Sequence, residues 1–210
     1  MHLLPLSKLF QFVAAVSAKY GIDESHSLGH SMRVFQFAEQ IAAEETPYIS
    51  NSAIFAEHRP IIQAAAILHD TCDKKYRDEA QGLLEIREFL TPIMPSLQIE
   101  TTIRIIGNMS YSKVKKYGMP DFGIYQTAFN VVREADLMDA YDFDRSMIYH
   151  MQRNHKTVEE AYTDAVDLFD KRVFRHVDDG LLLTNYAIRR HPELVRTAKI
   201  RMWQWKKLGY

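Results

Sequence analysis

Apolar residues recur at intervals of three and four along nearly the whole chain, which is the spacing of one face of an α-helix. The clearest stripe follows Thr157 and reaches Val173, and Thr157 with Glu160 predicts a capping box at its start. Glycine, proline and polar breaks divide the pattern into eight helical segments. Their approximate bounds are 6–20, 32–46, 61–68, 79–90, 96–108, 125–140, 158–173 and 179–205.

No segment alternates apolar and polar residues as a half-buried strand does. Residues 110–123 are polar, with two glycines and one proline, and this composition predicts a loop. The pattern therefore predicts an all-α fold, a compact array of about eight or nine helices around one core. We expect a single domain over residues 1–210, with helices from 146–210 packing on a core of about 23–145.

Composition narrows the class of protein. Hydrophobic residues make up 47% and charged residues 25%, which is typical of a globular chain and excludes extensive disorder. The formal net charge of −1 gives no overall field to attract long nucleic acid or an anionic membrane. No apolar stretch is long enough to span a membrane, and the N-terminus lacks the pattern of a signal peptide. With Cys72 as its one cysteine, the chain is expected to be cytoplasmic.

Three segments place histidine and aspartate on predicted helices. They are H26SLGHSMRV34, L68HDTCDKK75 and E134ADLMDA140. His69 and Asp70 follow the most apolar run in the chain, where a carboxylate is costly unless a cation compensates it. Imidazole with carboxylate is a common ligand set for divalent metals, and four such ligands leave positions open for water and substrate. The candidate ligands are His30, His69, Asp70 and Asp136.

The order His, His-Asp, Asp resembles that of the HD-domain metal-dependent phosphohydrolases. The segments D23ESHSLGHSMRV34, A65AILHD70 and E134ADLMDA140 are similar to the three motifs of that family, in the same order. The resemblance implies an all-α fold and one divalent metal ion on His30, His69, Asp70 and Asp136. The ion expected is Mn, Co, Ni, Fe, Zn or Mg.

The resemblance also implies roles for residues beside the ligands. The candidates are Asp73, Asp78 and His26 for catalysis, and Lys74, Lys75 and Arg33 for substrate binding. Asp73 would orient or deprotonate the attacking water, and Asp78 would assist. His26 would contact phosphate or protonate the leaving oxygen, as an alternative to a purely structural role. A structural ion pair is likewise the alternative for Arg33.

Members of the family with two metals draw further histidines from the interval between the second and third motifs. This chain has no histidine between His69 and His150, so one metal and hydrolysis are expected. The predicted activity is hydrolysis of a phosphate ester or anhydride in a small phosphorylated molecule, with a nucleotide favoured. The alternatives are a phosphodiesterase acting on a cyclic nucleotide and a non-catalytic scaffold that binds a nucleotide. Neither a long nucleic acid nor a membrane is an expected partner.

Two further clusters of charge have an ordinary interpretation. The first is a basic set, Lys113, Lys115 and Lys116 with Tyr111 and Tyr117. We interpret it as a solvated loop, and the alternative is that it binds a nucleotide. The second is the acidic set Asp139, Asp142 and Asp144, which reads as surface acids, with a secondary cation site as the alternative.

Overall fold

The computed structural model describes residues 4–45 and 52–209, and within these ranges it contains ten α-helices and no β-strand. The helices are α1 Leu6–Tyr20, α2 Leu28–Glu45, α3 Ser52–Leu68, α4 Glu79–Leu90, α5 Ser96–Asn108, α6 Tyr111–Tyr117, α7 Gln126–Asp139, α8 Phe143–Gln152, α9 Val158–Lys171 and α10 Asn185–Lys207. None of these helices combines the length and the apolar character that crossing a bilayer requires.

The all-α prediction is confirmed, but the predicted count of eight or nine helices is too low. The predicted loop over 110–123 contains α6, whose first turn is capped by the side chain of Ser110. The second unpredicted helix, α8, is capped by Asp142, whose side chain accepts from the backbone N–H of Arg145. Both helices are short and rich in polar residues, so their caps indicate them more clearly than their apolar spacing does.

Three predicted helix starts also need correction. Helix α2 begins four residues before the predicted position 32, and α10 begins after the cap Thr184 rather than at 179. Helix α3 begins at Ser52, so Pro60 lies inside it and not before it. A proline in a helix removes one backbone hydrogen bond. The nearly complete burial of the apolar residues over 61–68 favours the continuous helix in spite of that loss.

A larger hydrophobic core surrounds α3. This helix packs against α1, α2, α5 and α7, which explains why its C-terminal half is apolar on most sides. Helices α2 and α7 also pack against each other along their lengths. The three candidate segments therefore meet because they lie on α2, at the end of α3 and on α7.

A smaller hydrophobic core lies among α8, α9 and α10. Its residues include Phe143, Met147, Phe169, Val173 and Ala198, all at most 2% exposed. The rings of Phe143 and Phe169 meet edge to face with centroids 5.2 Å apart, a favoured aromatic geometry. Helix α10 also contacts α2 and α7, so the smaller core lies beside the larger one.

One glycine brings α4 close to the turn that follows α3. A Cβ atom built on Gly82 would lie 2.5 Å from Cβ of Cys72 and 2.8 Å from its Cα. Only a residue without a side chain permits this approach. Gly82 thus allows α4 to pack directly on the turn that carries His69 and Asp70.

Candidate metal centre

The chain leaves α3 through a 3-10 turn, His69–Cys72, at the edge of the larger core. The hydroxyl of Thr71 donates to the carbonyl of Leu68 at 2.7 Å, and the N–H of Asp73 donates to the carbonyl of Asp70 at 3.2 Å. These bonds occupy backbone carbonyls at the end of the helix. The turn thereby holds the imidazole of His69 and the carboxylate of Asp70 beside the core.

The side chains of the three motifs converge on one point. Nε2 of His30 lies 3.0 Å from Nε2 of His69 and 3.1 Å from Oδ2 of Asp70. Oδ1 of Asp136 lies 3.4 Å from Nε2 of His30 and 3.6 Å from Nε2 of His69. The structure therefore brings together all four residues that the sequence predicts as ligands.

The other nitrogen of each imidazole is already engaged. Nδ1 of His69 lies 3.0 Å from the carbonyl of Ala66, which can only accept, so this nitrogen carries the proton. Nδ1 of His30 lies 2.6 Å from Oδ2 of Asp139 and donates to that carboxylate. When these rings are neutral, both Nε2 lone pairs face each other across 3.0 Å. The two lone pairs repel each other unless a cation lies beside both of them.

The electrostatics of the cluster also require positive charge. Burial and Arg145 disfavour a charged His30, but hydrogen bonds to Asp136, Asp139 and Asp70 prevail and raise its pKa to about 10. Burial opposes ionisation of Asp70 and Asp136 too, yet the two histidines hold the pKa of each carboxyl well below its usual value. Without a metal ion, protons on the imidazoles supply the charge that these carboxylates demand.

The donor set therefore fits a divalent metal. Ligand atoms of His30, His69 and Asp136 all lie within 4.8 Å of one another, so this buried group can hold an ion. Asp70 is the fourth neighbour: its Oδ2 is buried and accepts no hydrogen bond of good geometry among the described residues, although Nε2 of His30 lies 3.1 Å away. A carboxylate oxygen in that position costs free energy unless a cation compensates it. Imidazole nitrogens with carboxylate oxygens suit several divalent first-row metals.

Asp139 is buried, which corrects its interpretation as a surface acid. Its side chain is 2% exposed, and besides His30 it accepts from Nε of Arg33 at 2.7 Å and from Nη2 at 3.2 Å. Arg33 thus makes a structural ion pair and fixes the carboxylate that orients His30. Partners of this kind set the tautomer and the direction of a ligating imidazole.

His26 lies beside the cluster in a network with Lys75. Nζ of Lys75 is 3.0 Å from Nε2 of His26 and 3.1 Å from Oδ2 of Asp73. Because an ammonium only donates, Nε2 of His26 accepts, and its Nδ1 carries the proton toward Oγ of Ser25 at 2.6 Å. Burial, with Lys75 and Arg145 nearby, holds the pKa of His26 well below its usual value, although Asp70 opposes the shift. The ring is therefore neutral near pH 7.

The side chains of the remaining sequence candidates form no hydrogen bond or ion pair with the four candidate ligands in the described structure. The carboxylate of Asp73 is occupied by Lys75, since Oδ1 also accepts from the backbone N–H of Lys75 at 2.8 Å. Asp78 is exposed and caps α4 by accepting from the N–H of Gln81 at 2.8 Å. Lys74 is exposed. The geometry brings His26, Asp73 and Lys75 into one network beside the ligands, and it gives Asp78 a capping role.

One residue of the site is absent from the sequence-based set. Nη2 of Arg145, on α8, lies 3.1 Å from Nε2 of His30 and 3.8 Å from Oδ2 of Asp70. Its Nε donates to the carbonyl of Ser25, and 14% of its side chain is exposed. The capping signal at Asp142 would have placed Arg145 in the first turn of a helix, although nothing in that signal indicates the neighbouring ligands.

The fold has a counterpart among solved structures. A crystal structure of a protein from Lactobacillus plantarum, a structural-genomics target, aligns over 97% of this chain and 96% of its own with a TM-score of 0.69. The two sequences are 20% identical, so the likeness concerns the fold alone. No family model and no curated protein matches this chain.

Proposed function

We propose that this chain is a metal-dependent hydrolase of the HD type that cleaves a phosphate ester or anhydride in a small phosphorylated molecule, with a nucleotide as the favoured substrate class. The observation that carries the proposal is that the Nε2 atoms of His30 and His69 face each other 3.0 Å apart. The tautomer of each ring is fixed by the acceptor at its Nδ1, which is Asp139 for His30 and the carbonyl of Ala66 for His69. The order of the three motifs supports the HD assignment.

His30, His69, Asp70 and Asp136 would hold the ion. A divalent cation in this position supplies Lewis-acid activation of water and neutralises charge on phosphoryl oxygens. The side chain of Asp136 is 26% exposed, whereas that of His30 is wholly buried. The Asp136 side of the cluster is therefore open to solvent, as a catalytic site requires and a purely structural one does not.

Two cations lie near the cluster, and we assign them to the phosphoryl group. Arg145 contacts the cluster directly, and Lys75 reaches it through His26. Guanidinium and ammonium groups stabilise the charge that develops on phosphoryl oxygens during transfer. In the reaction, a bond forms between water oxygen and phosphorus while the bond from phosphorus to the leaving oxygen breaks. The leaving oxygen keeps that electron pair and takes up a proton, the water gives up one proton, and the second product is the phosphate that carries the water oxygen.

The contacts of Asp73 and His26 suggest how each contributes. The carboxylate of Asp73 contacts both the backbone N–H and the ammonium group of Lys75. We therefore assign Asp73 two roles, positioning Lys75 and orienting the attacking water. Because Nε2 of His26 accepts from Lys75, we assign His26 to positioning that lysine rather than to protonating the leaving oxygen. Nζ of Lys75 lies 3.0 Å from Nε2 of His26.

The test combines metal content with hydrolysis. Purified protein is supplied with Mn, Co, Ni or Mg, and phosphate release from a model ester and a nucleotide panel is measured. Metal content is then compared between wild type, Asp70→Ala and Asp167→Ala, a surface aspartate that pairs with Lys171. We expect Asp70→Ala to lose the metal and the activity while its circular dichroism is unchanged, and Asp167→Ala to keep both. Unchanged metal content in Asp70→Ala would refute the proposal.

A further inference from the structure

Arg172 ends α9 and is the starting point of a second binding feature. Its guanidinium carbon lies 3.9 Å from the centre of the Tyr111 ring, so the cation rests on the aromatic face. Its Nε is buried without a hydrogen-bond partner among the residues described, and no carboxylate in those ranges forms an ion pair with it. By contrast, the nearby Arg175 is exposed and pairs with Asp179 at 3.3 Å.

The backbone around Arg172 is held in place. Val173, which follows it, accepts from the hydroxyl of Tyr141 at 2.8 Å and is buried in the smaller core. The hydroxyl of Tyr111 in turn accepts from Nζ of Lys115 at 3.1 Å. A guanidinium fixed between a ring and an anchored turn keeps little rotational freedom to lose on binding.

Further buried polar groups near Arg172 lack a hydrogen-bond partner among the described residues. His176 is 0% exposed and neither of its ring nitrogens has a partner in the described structure, and Nε of Arg133 is buried and unpartnered too. Arg172 and Arg133 both act on the ionisation of His176, whose pKa burial and these cations lower to about 3. Buried N–H groups without acceptors are rare in proteins and call for a ligand or water that accepts.

Arg172 also lies near the end of α7, the helix that bears Asp136, because the neighbouring Val173 accepts from Tyr141 just beyond that helix. Burial lowers the pKa of Arg172, Asp136 opposes that shift, and Arg145 adds to it. The cluster therefore has cations on two sides, with Lys75 on the His26 side and Arg172 on the Asp136 side. Arg145 has Asp70 at 3.8 Å and Asp139 at 3.9 Å, whereas Arg172 has no ion-pair partner among the described residues. An anion beside Arg172 would therefore offset the repulsion between the two guanidinium groups.

We propose that Arg172, stacked on Tyr111, binds a second phosphoryl group of the substrate. This inference rests on the proposed function and narrows the substrate class to molecules that carry a phosphoanhydride, such as a nucleoside diphosphate or triphosphate. The phosphoryl group at the cluster meets Arg145 and Lys75, and its neighbour along the anhydride meets Arg172. The planar guanidinium matches two phosphoryl oxygens at once.

The experiment measures binding of pyrophosphate and of inorganic phosphate by calorimetry, in EDTA, so that no metal contributes. Wild type is compared with Arg172→Gln, Arg172→Lys and the matched control Arg175→Gln. We expect the Kd for pyrophosphate to rise at least tenfold in Arg172→Gln, while the Kd for phosphate changes less than threefold. Arg172→Lys keeps the charge but loses the planar pair of N–H donors, so its Kd for pyrophosphate should rise about threefold to tenfold. The control Arg175→Gln should match wild type.

Equal pyrophosphate binding in wild type and Arg172→Gln would overturn the inference, as would an equal loss of both ligands. If Arg172→Gln does not fold, Arg172→Lys decides the matter, because wild-type pyrophosphate affinity in that variant contradicts the bidentate contact. The proposed function fails separately. A protein without metal or hydrolysis, but with binding of pyrophosphate that depends on Arg172, would keep the subsite and lose the hydrolase. A hydrolase whose affinity for pyrophosphate does not depend on Arg172 would keep the proposed function and lose the subsite.

Discussion

The two hydrophobic cores contribute opposite kinds of charge to the candidate site. The larger core, around α3, positions the imidazoles of His30 and His69 and the carboxylates of Asp70 and Asp136. The smaller core, among α8, α9 and α10, positions the guanidinium of Arg145, and Arg172 stands at its edge beside Val173. Apart from Lys75, which follows the turn after α3, the anion-binding groups thus belong to a different packing unit from the candidate metal ligands, so a substitution should be able to remove one function and leave the other.

The largest effect is expected from a ligand held by the larger core. His69→Ala removes one imidazole from the cluster and leaves Asp70 and Asp136 with a single histidine. We expect metal content to fall below one tenth of the wild-type value and phosphohydrolase activity to fall more than about 1000-fold, since the cation and its activation of water are lost together. Elemental analysis and steady-state kinetics provide the measurement. Retention of stoichiometric metal in this variant would contradict the ligand assignment.

The matching substitution in the smaller core is Arg145→Gln. It should retain the metal at wild-type stoichiometry, because no imidazole or carboxylate is altered. We expect kcat/KM to fall by about 100-fold to 1000-fold, the usual cost of removing one charged donor aimed at a transition state. Arg201→Gln, on α10, is the control, since Arg201 pairs with Asp144 at the surface. If Arg145→Gln loses metal as readily as His69→Ala, the assignment of metal binding to the larger core and phosphoryl binding to the smaller core is wrong.

The same comparison explains what could be predicted from sequence. The four candidate ligands could be predicted because the three motifs occur in the order of a known family, and because His69 and Asp70 follow the most apolar run in the chain, where an imidazole or carboxylate is conspicuous. Arg145 was not predictable in this way, because an arginine in a polar, ten-residue helix is ordinary and only the fold brings it to His30. Asp139 was misread for a related reason. Its spacing from Asp136 places it on the same helix, but its burial depends on how α7 meets α2.

Asp139 allows a finer test within the larger core. Asp139→Asn keeps the size of the side chain but removes the charge that holds the Nδ1 proton of His30. We expect the metal Kd to rise about 10-fold to 100-fold, as is usual when a carboxylate behind a ligating histidine is lost. Arg33→Gln, which leaves the carboxylate in place, should produce a smaller rise. Competition with a chelator of known affinity measures both, and an unchanged Kd in Asp139→Asn would show that Asp139 does not orient His30.

The stability of the metal-free protein should depend on pH because protons then occupy the cluster. The pKa of His30 is raised to about 10, so its stabilising contribution is fully present below the unfolded pKa and is lost as pH rises toward 10. The pKa values of Asp70 and Asp136 are lowered, so their carboxylates stay ionised throughout this window. We expect the free energy of unfolding to fall by a few kcal/mol between about pH 7 and pH 10. The metal-loaded protein, measured by the same urea titrations, should show a much smaller decline because the ion replaces the protons.

The smallest effect concerns how the larger core holds the turn that carries Asp70. Gly82→Ala forces a Cβ atom to within 2.5 Å of Cβ of Cys72, so either α4 or the His69–Cys72 turn must move. We expect the free energy of unfolding to fall by about 1–3 kcal/mol, the usual cost of overpacking, together with weaker metal binding. Pyrophosphate binding in EDTA, which belongs to Arg172 and the edge of the smaller core, should change less than twofold.

Gly107→Ala is the matched control for this substitution. Gly107 also lies inside a helix, but an added Cβ would meet only Cδ1 of Leu83 at 3.6 Å, an ordinary contact. Alanine in a helix is favoured over glycine by roughly 0.8–1 kcal/mol, so this variant should be slightly more stable than wild type. The two substitutions should therefore have opposite signs in urea titrations. If both substitutions stabilise the protein equally, the turn bearing Asp70 must move away from α4 at no cost in free energy. The larger core would then not fix the positions of the candidate ligands.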